Sequence, residues 1–174
     1  MLTDLDAFLR YFETVHRRTR RDVAALPPAA AAWRVPADAN LAEDLWSLGQ
    51  IVGHIAAARY LFTGAFLGHG WHLPDRPFDP ADQAGWLPEL EASAAWMRGQ
   101  LTGAPHAWLE RRVDSMDHTG QIAGWRVLML LVEHEVHHRS QLDTYAGLAG
   151  WPVPDLFGFS FETVEQLAPR RTPE

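Results

Sequence analysis

The sequence predicts an all-α protein, an antiparallel four-helix bundle with a short C-terminal extension. Three observations carry that prediction. Apolar residues recur at three- and four-residue spacing along four long segments. The prolines fall between those segments or in a first turn, where they end or open helices rather than break them. No stretch alternates apolar and polar residues convincingly enough to build a sheet. At 174 residues the chain is long enough to bury a sizeable core. With no repeat or dividing linker, residues 1–174 read as a single domain.

The first helix is expected over residues 4–25, with Leu5, Phe8, Leu9, Phe12, Val15, Thr19 and Val23 on one stripe. Leu26-Pro27-Pro28 ends it. Its run His16-Arg17-Arg18-Thr19-Arg20-Arg21 reads as a solvated face, with nucleic-acid contact as the alternative. The second helix has the best-marked start. Ser47 and Gln50 form an S-x-x-Q capping box, and Trp46 and Ile51 take the positions of a hydrophobic staple. Its stripe reads Ile51, His54, Ala58, Leu61, Ala65, and Gly68 offers the stop. Gly49, Gly53 and Ala56 to Ala58 would let a neighbouring helix approach closely. A proline-rich loop, 71–80, leads to the third helix at 88–101, with Pro88 in its first turn and Leu90, Ala94, Met97 and Leu101 inward. Residues 104–120 are expected to be irregular, with a short extended piece at 108–113. The fourth helix, 122–149, would be roughly 40 Å long at ~1.5 Å per residue, and Gly150, Pro152 and Pro154 stop it. A short helix around 161–167 is expected against one end.

Composition removes several chemistries. Without cysteine there are no disulfides, thiolate nucleophiles, iron–sulfur clusters or cysteine-type zinc sites. Without lysine, all 15 basic side chains being arginine, Schiff-base chemistry and a phosphate-loop lysine are also excluded. A transition metal would be held mainly by the nine histidines, with Asp or Glu in support. The net charge of −7 argues against a nucleic-acid partner. The N-terminus lacks a secretory pattern, and the longest strongly apolar run, 127–132, is far short of the ~20 residues a membrane span needs. A cytoplasmic protein with no membrane partner is expected.

One pair of residues carries most of the functional information. His134 and His138 stand four apart, on one helix face, where two imidazoles can reach one ion. The stripe Val127, Leu131, His134, His138, Leu142, Tyr145 places both with the inward apolar side chains. An unsatisfied polar group in a core costs on the order of 1–3 kcal/mol, so inward imidazoles need a metal or hydrogen-bond partners. His54 lies in the inward face of the second helix. Three protein ligands with an open position is the pattern of a catalytic zinc-type site; hydrogen-bonded core histidines are the alternative. His137 falls off the stripe, as a surface or supporting residue. Glu133 and Glu135 read as solvated, or as orienting an imidazole from a neighbouring element. Gln141 would bind the metal's water or a substrate carbonyl, or else a neighbouring helix. Arg139 would pair with an anionic substrate or, more favourably, with an acidic side chain. Gln141 and Arg139 are thus the candidate catalytic residues. Trp46, Trp125 and Trp151 are assigned to sealing bundle ends or packing under loops rather than to a pocket, and the loop histidines His69, His72, His106 and His118 receive no role.

These residues give the chain a resemblance to the DinB/YfiT-like superfamily. Ser47-Leu48-Gly49-Gln50-Ile51-Val52-Gly53-His54-Ile55 is similar to that family's second-helix segment ending in a ligand histidine. His134-Glu135-Val136-His137-His138-Arg139-Ser140-Gln141 is similar to its H-x-x-H-H-R-G-Q signature, with Ser140 in place of the usual glycine. The 147–158 stretch, with Asp155-Leu156-Phe157-Gly158, resembles the family's C-terminal end, so the likeness covers about residues 4–160. The resemblance implies a DinB/YfiT-type bundle, often homodimeric, with zinc or nickel held by His54, His134 and His138. Several members use a low-molecular-weight thiol such as bacillithiol or mycothiol. The expectation is therefore a divalent-metal-dependent thiol S-transferase, joining such a thiol to a small electrophile in stress or detoxification. A hydrolase using a metal-activated water and a non-catalytic, metal-stabilised binding module are the alternatives. The family's name refers to DNA damage, but nothing in this sequence supports DNA binding.

Overall fold

Asp4 opens α1 (Leu5–Ala24) by accepting the backbone amides of Asp6 and Ala7, two of the donors a helix start leaves free. The computed structural model describes residues 2–36, 45–153 and 161–168. The expected stripe of α1 is buried, with Leu9 half-buried at its edge. His16 is a correction. Although it begins the basic run read as solvated, it is buried, stacked on Phe12, with Nε2 3.3 Å from a Glu91 carboxylate oxygen.

The capping box forms at the start of α2 (Leu48–Leu67). Ser47 Oγ accepts the Gln50 amide and Gln50 Oε1 accepts the Ser47 amide. Gly68 closes the helix with φ +90°, a left-handed turn suited to glycine. The helix is buried on most of its circumference rather than along one stripe. Leu61, placed on the stripe, is half-buried, while Val52, Ile55, Arg59, Phe62 and Phe66, off it, are buried. Gly49 and Gly53 do admit a close approach, mainly by the loop before α3, with Trp86 at the start of that helix also against Gly49. A Cβ on Gly49 would overlap the Pro80 carbonyl, and one on Gly53 would lie 2.5 Å from Phe78.

α3 (Trp86–Leu101) begins two residues earlier than expected, and Pro88 sits in its first turn. The 104–120 segment carries more structure than expected. A 3-10 turn at His106–Leu109 precedes β1 (Arg112–Asp114), which pairs antiparallel with β2 (Gln121–Ala123), Val113 facing Ile122. This hairpin takes the residues assigned to the start of the fourth helix, so α4 runs Gly124–Leu148. Gly124 marks the switch because a Cβ there would overlap the Trp108 carbonyl. α5 (Phe161–Leu167) occurs where expected, while Asp155-Leu156-Phe157-Gly158 lies outside the described residues. No helix among the described residues is long and apolar enough to cross a membrane.

Residue contacts fix the bundle's directions. Glu13 meets Arg98 and His16 meets Glu91, so α1 and α3 are antiparallel. His54 meets both His134 and His138 while Trp46 reaches His138 and Phe62 reaches His134, so α2 and α4 are antiparallel. Thr19 meets Glu135 and Asp22 meets Arg139, so α1 and α4 run parallel. The order is therefore up-down-down-up, with the long 68–85 connection returning the chain between α2 and α3. Two apolar clusters fill the bundle. One joins Leu5 to Val15 with the second half of α2, the end of α3 and the start of α4; the other joins Val23 with Ile51, Ile55, Leu90 and Leu142. Trp125 covers the first, and Trp151, against Trp33, covers the second, as expected of residues that seal ends.

Between the clusters lies a layer of polar side chains, one or more from each of α1 to α4. Arg59 grips Glu135 through Nε (3.0 Å) and Nη2 (2.7 Å), and its Nη1 donates to Leu90 O and Ser93 Oγ. Thr19 Oγ1 donates to Glu135 Oε1 at 2.7 Å. Glu135 is thus not solvated, as its flanking position had indicated, but 2% exposed. The Arg59 guanidinium overcomes the burial penalty and holds its carboxyl below the usual carboxylate range. Removing one partner of a buried pair leaves an uncompensated charge, at a cost of about 3–5 kcal/mol. Glu135→Ala should lose that much in urea unfolding. A paired Arg59→Met/Glu135→Leu replacement should recover most of it, and a single variant as stable as wild type would show that the layer does not hold the bundle.

Candidate metal centre

The antiparallel contact of α2 with α4 brings His54 against His134 and His138. One nitrogen from each ring lies within 4.8 Å of the other two, and His54 Nε2 stands 2.9 Å from His134 Nε2. The three ring centroids are 4.3 to 4.7 Å apart. His138 is 8% exposed, and the other two are half-buried. Burial is the largest influence on each ring and neighbouring imidazoles add to it, pushing His54 and His134 down to about 4 and lowering His138. All three are therefore neutral at pH 7, with lone pairs free to accept.

Gln141 sets one tautomer. Its Oε1 lies 2.7 Å from His138 Nδ1, so Nδ1 carries the proton and Nε2 is left for a ligand. Its oxygen contacts a histidine one turn back rather than another helix, and Gln141 also lines the cavity that opens beside Trp46. Arg139 follows the acidic-pairing alternative. It is 2% exposed, with Nε 3.5 Å from Asp22 Oδ2, and is not among the residues of the site. His137 is exposed with its ring 4.8 Å from His138, and Ser140 is exposed with its hydroxyl bonded to Val136 O, so the glycine-to-serine difference leaves the site alone.

Trp46 is the residue the sequence misassigned. Rather than packing under a loop, it is 41% exposed, its ring 4.5 Å from His54 and 5.8 Å from His138. Beside it opens a cavity of about 250 Å³ lined by Leu45, Trp46, Ile51, His138, Gln141 and Tyr145. On the other side Phe62 closes on His134 at 5.6 Å. A signal for the Arg59–Glu135 pair did exist. Arg59 is the one arginine in α2, among a helix of mostly apolar residues that contains no acid to pair with it, so its partner must come from another element.

A divalent transition ion fits this donor set. Neutral imidazoles suit zinc or nickel, and two nitrogens each ~2.1 Å from one ion are spaced by on the order of 3 Å, as His54 and His134 are. Three donors with an aromatic-walled cavity alongside leave coordination open to a small molecule.

The model of the DinB family matches residues 1–171, and the chain belongs to that family. It is 24% identical over 164 residues to the uncharacterized protein YrdA of Bacillus subtilis, covering 91% of this chain and 90% of YrdA. The fold is similar to a crystal structure of the DinB-like protein YjoA from Bacillus subtilis, with a TM-score of 0.66 at 17% identity, covering 84% of this chain and 93% of that one.

Two outcomes follow from the site. Elemental analysis of purified protein should find about one divalent ion per chain. His54→Ala, His134→Ala and His138→Ala should each lose most of it, and Gln141→Leu should weaken binding 10- to 100-fold by freeing the tautomer; equal metal in all would remove the assignment. The metal-free protein should also be acid-sensitive. His54 and His134 titrate near 4 when folded, against an ordinary 6.5, so the unfolded chain binds more protons between those values. Stability should fall as the pH drops from about 6.5 to 4, with a shallower slope in His54→Gln, read from urea midpoints.

Proposed function

We propose that this DinB-family chain is a divalent-metal-dependent thiol S-transferase, which joins a low-molecular-weight thiol to an electrophilic small molecule. The observation that carries the reading is the open three-histidine cluster with a cavity beside it, in a chain that has no cysteine of its own. Free thiols are poorly ionised at neutral pH, with a pKa of about 8.5. A divalent ion held by three neutral imidazoles supplies Lewis acidity, lowering the pKa of a thiol or water that it binds.

The chain's own residues do the rest. His54, His134 and His138 would hold the ion, and Gln141 keeps the His138 tautomer that presents Nε2. Trp46 covers two of the rings and keeps bulk water off that side. The Leu45, Trp46, Ile51 and Tyr145 walls favour an electrophile with an apolar or aromatic body, its polar end toward Gln141 and His138. The donor set serves water as well as sulfur, so hydrolysis is the second reading.

A panel of bacillithiol, mycothiol, glutathione and coenzyme A against monochlorobimane separates these. Metal-dependent conjugation above background, lost in His134→Ala, is expected for one thiol. Thiol-independent turnover of esters or amides would establish the hydrolase instead. Inactivity in both, with a large fall in melting temperature on chelation, would reduce the metal to a structural role.

A further inference from the structure

A second and larger cavity, about 510 Å³, opens where the C-terminal end of α2 meets the β1–β2 hairpin. Its volume falls in the ~300–1,000 Å³ range of small-molecule sites. Its walls include Trp71, His72, Arg111, Arg112, His118 and Gln121. In a chain of net charge −7, a concavity with two arginines and two imidazoles runs against the overall field.

The two arginines differ in how they are held. Arg111 is fixed: its guanidinium lies 4.7 Å over the Trp108 ring and Nη2 donates to the Phe66 carbonyl. The exposed side chain of Arg112, on β1, has no hydrogen bond or carboxylate partner among the described residues. The one acid in the wall, Asp114, already accepts the Gln121 side-chain amide at 2.9 Å. Trp71 is also anchored, its Nε1 donating to Asp114 O at 2.7 Å. One immobilised and one unpartnered arginine lining the same cavity suit an anion with at least two acceptor oxygens.

We propose that this cavity is a binding site for a small carboxylate- or phosphate-bearing molecule, with Arg111 and Arg112 as its anion-binding groups. It is separate from the histidine cluster. Phe62 stands 5.6 Å from the His134 ring and 5.5 Å from the Trp71 ring, so the aromatic pair lies between the two sites and places Trp71 within about 11 Å of His134. The site needs no metal.

The test is titration of the full-length protein with succinate and, separately, with inorganic phosphate. It is followed by the Trp71 indole N–H signal in nitrogen-15 NMR, identified with Trp71→Phe, and by calorimetry. Saturable binding in the millimolar range or tighter is expected, weakening as salt is raised. Arg112→Gln, which removes an exposed and unpartnered side chain, should melt like wild type yet bind at least about tenfold more weakly. Arg98→Gln, whose partner is Glu13, and His134→Ala should bind as wild type. The tighter of the two probes identifies carboxylate or phosphate as the natural group. No saturation with either up to tens of millimolar, or equal affinity in Arg112→Gln, would overturn the proposal.

Discussion

The buried ion pair of Arg59 and Glu135 is the contact on which the arrangement of this bundle depends. It is the point where α1 through α4 meet, since Thr19, Ser93 and the Leu90 carbonyl complete its hydrogen bonds. Apolar contacts on either side are tolerant of sliding, because leucine and phenylalanine pack in many registers. A bidentate guanidinium–carboxylate pair is not. Every other helix register in the bundle would strand a charge, at a penalty of several kcal/mol. The layer therefore contributes specificity more than stability.

That register has a direct chemical consequence. Glu135 follows His134 in sequence, and Arg59 stands five residues beyond His54. Fixing Arg59 against Glu135 thus fixes His54 against His134, within hydrogen-bond distance. Two of the three histidines, His54 and His134, lie at the margin of the helix contact, not at its centre. The buried face of α4 is centred between Leu131 and Arg139, through Glu135 and Leu142, and His134 and Gln141 fall on its edge, half-buried. A site at the margin keeps donors desolvated on one side and reachable on the other, which a site at the level of Glu135 could not do.

What was legible in the sequence was whatever depends on near neighbours. Ser47 and Gln50 make a capping box within one turn, and the stripes of α1 and α3 need only helical spacing. The triad was legible because two ligands share one helix and His54 shares a phase with its own apolar neighbours. What was not legible depends on other elements. Glu135 looks solvated from its flanks, since only the presence of Arg59 on another helix makes its burial tolerable. His16 sits among arginines and is drawn inward by Phe12 and Glu91. Trp46 resembles a staple residue, and its place over two imidazoles follows from how the chain enters α2. The hairpin has three-residue strands, too short for alternation to show.

The cluster is also costly in the absence of a cation, and that cost bears on its purpose. Burial and mutual proximity disfavour protonation of all three rings. His134 Nδ1 is buried without a hydrogen-bond partner among the described residues, at an expense of roughly 1–3 kcal/mol. A bundle selected for stability alone would place leucine at these positions, as it does at Leu131 and Leu142 one turn away. A cation bound by the folded chain and not by the unfolded one would return that energy through linkage. The strain of three converging imidazoles thus sits beside the buried Arg59–Glu135 pair, where a bound ion would convert it into affinity.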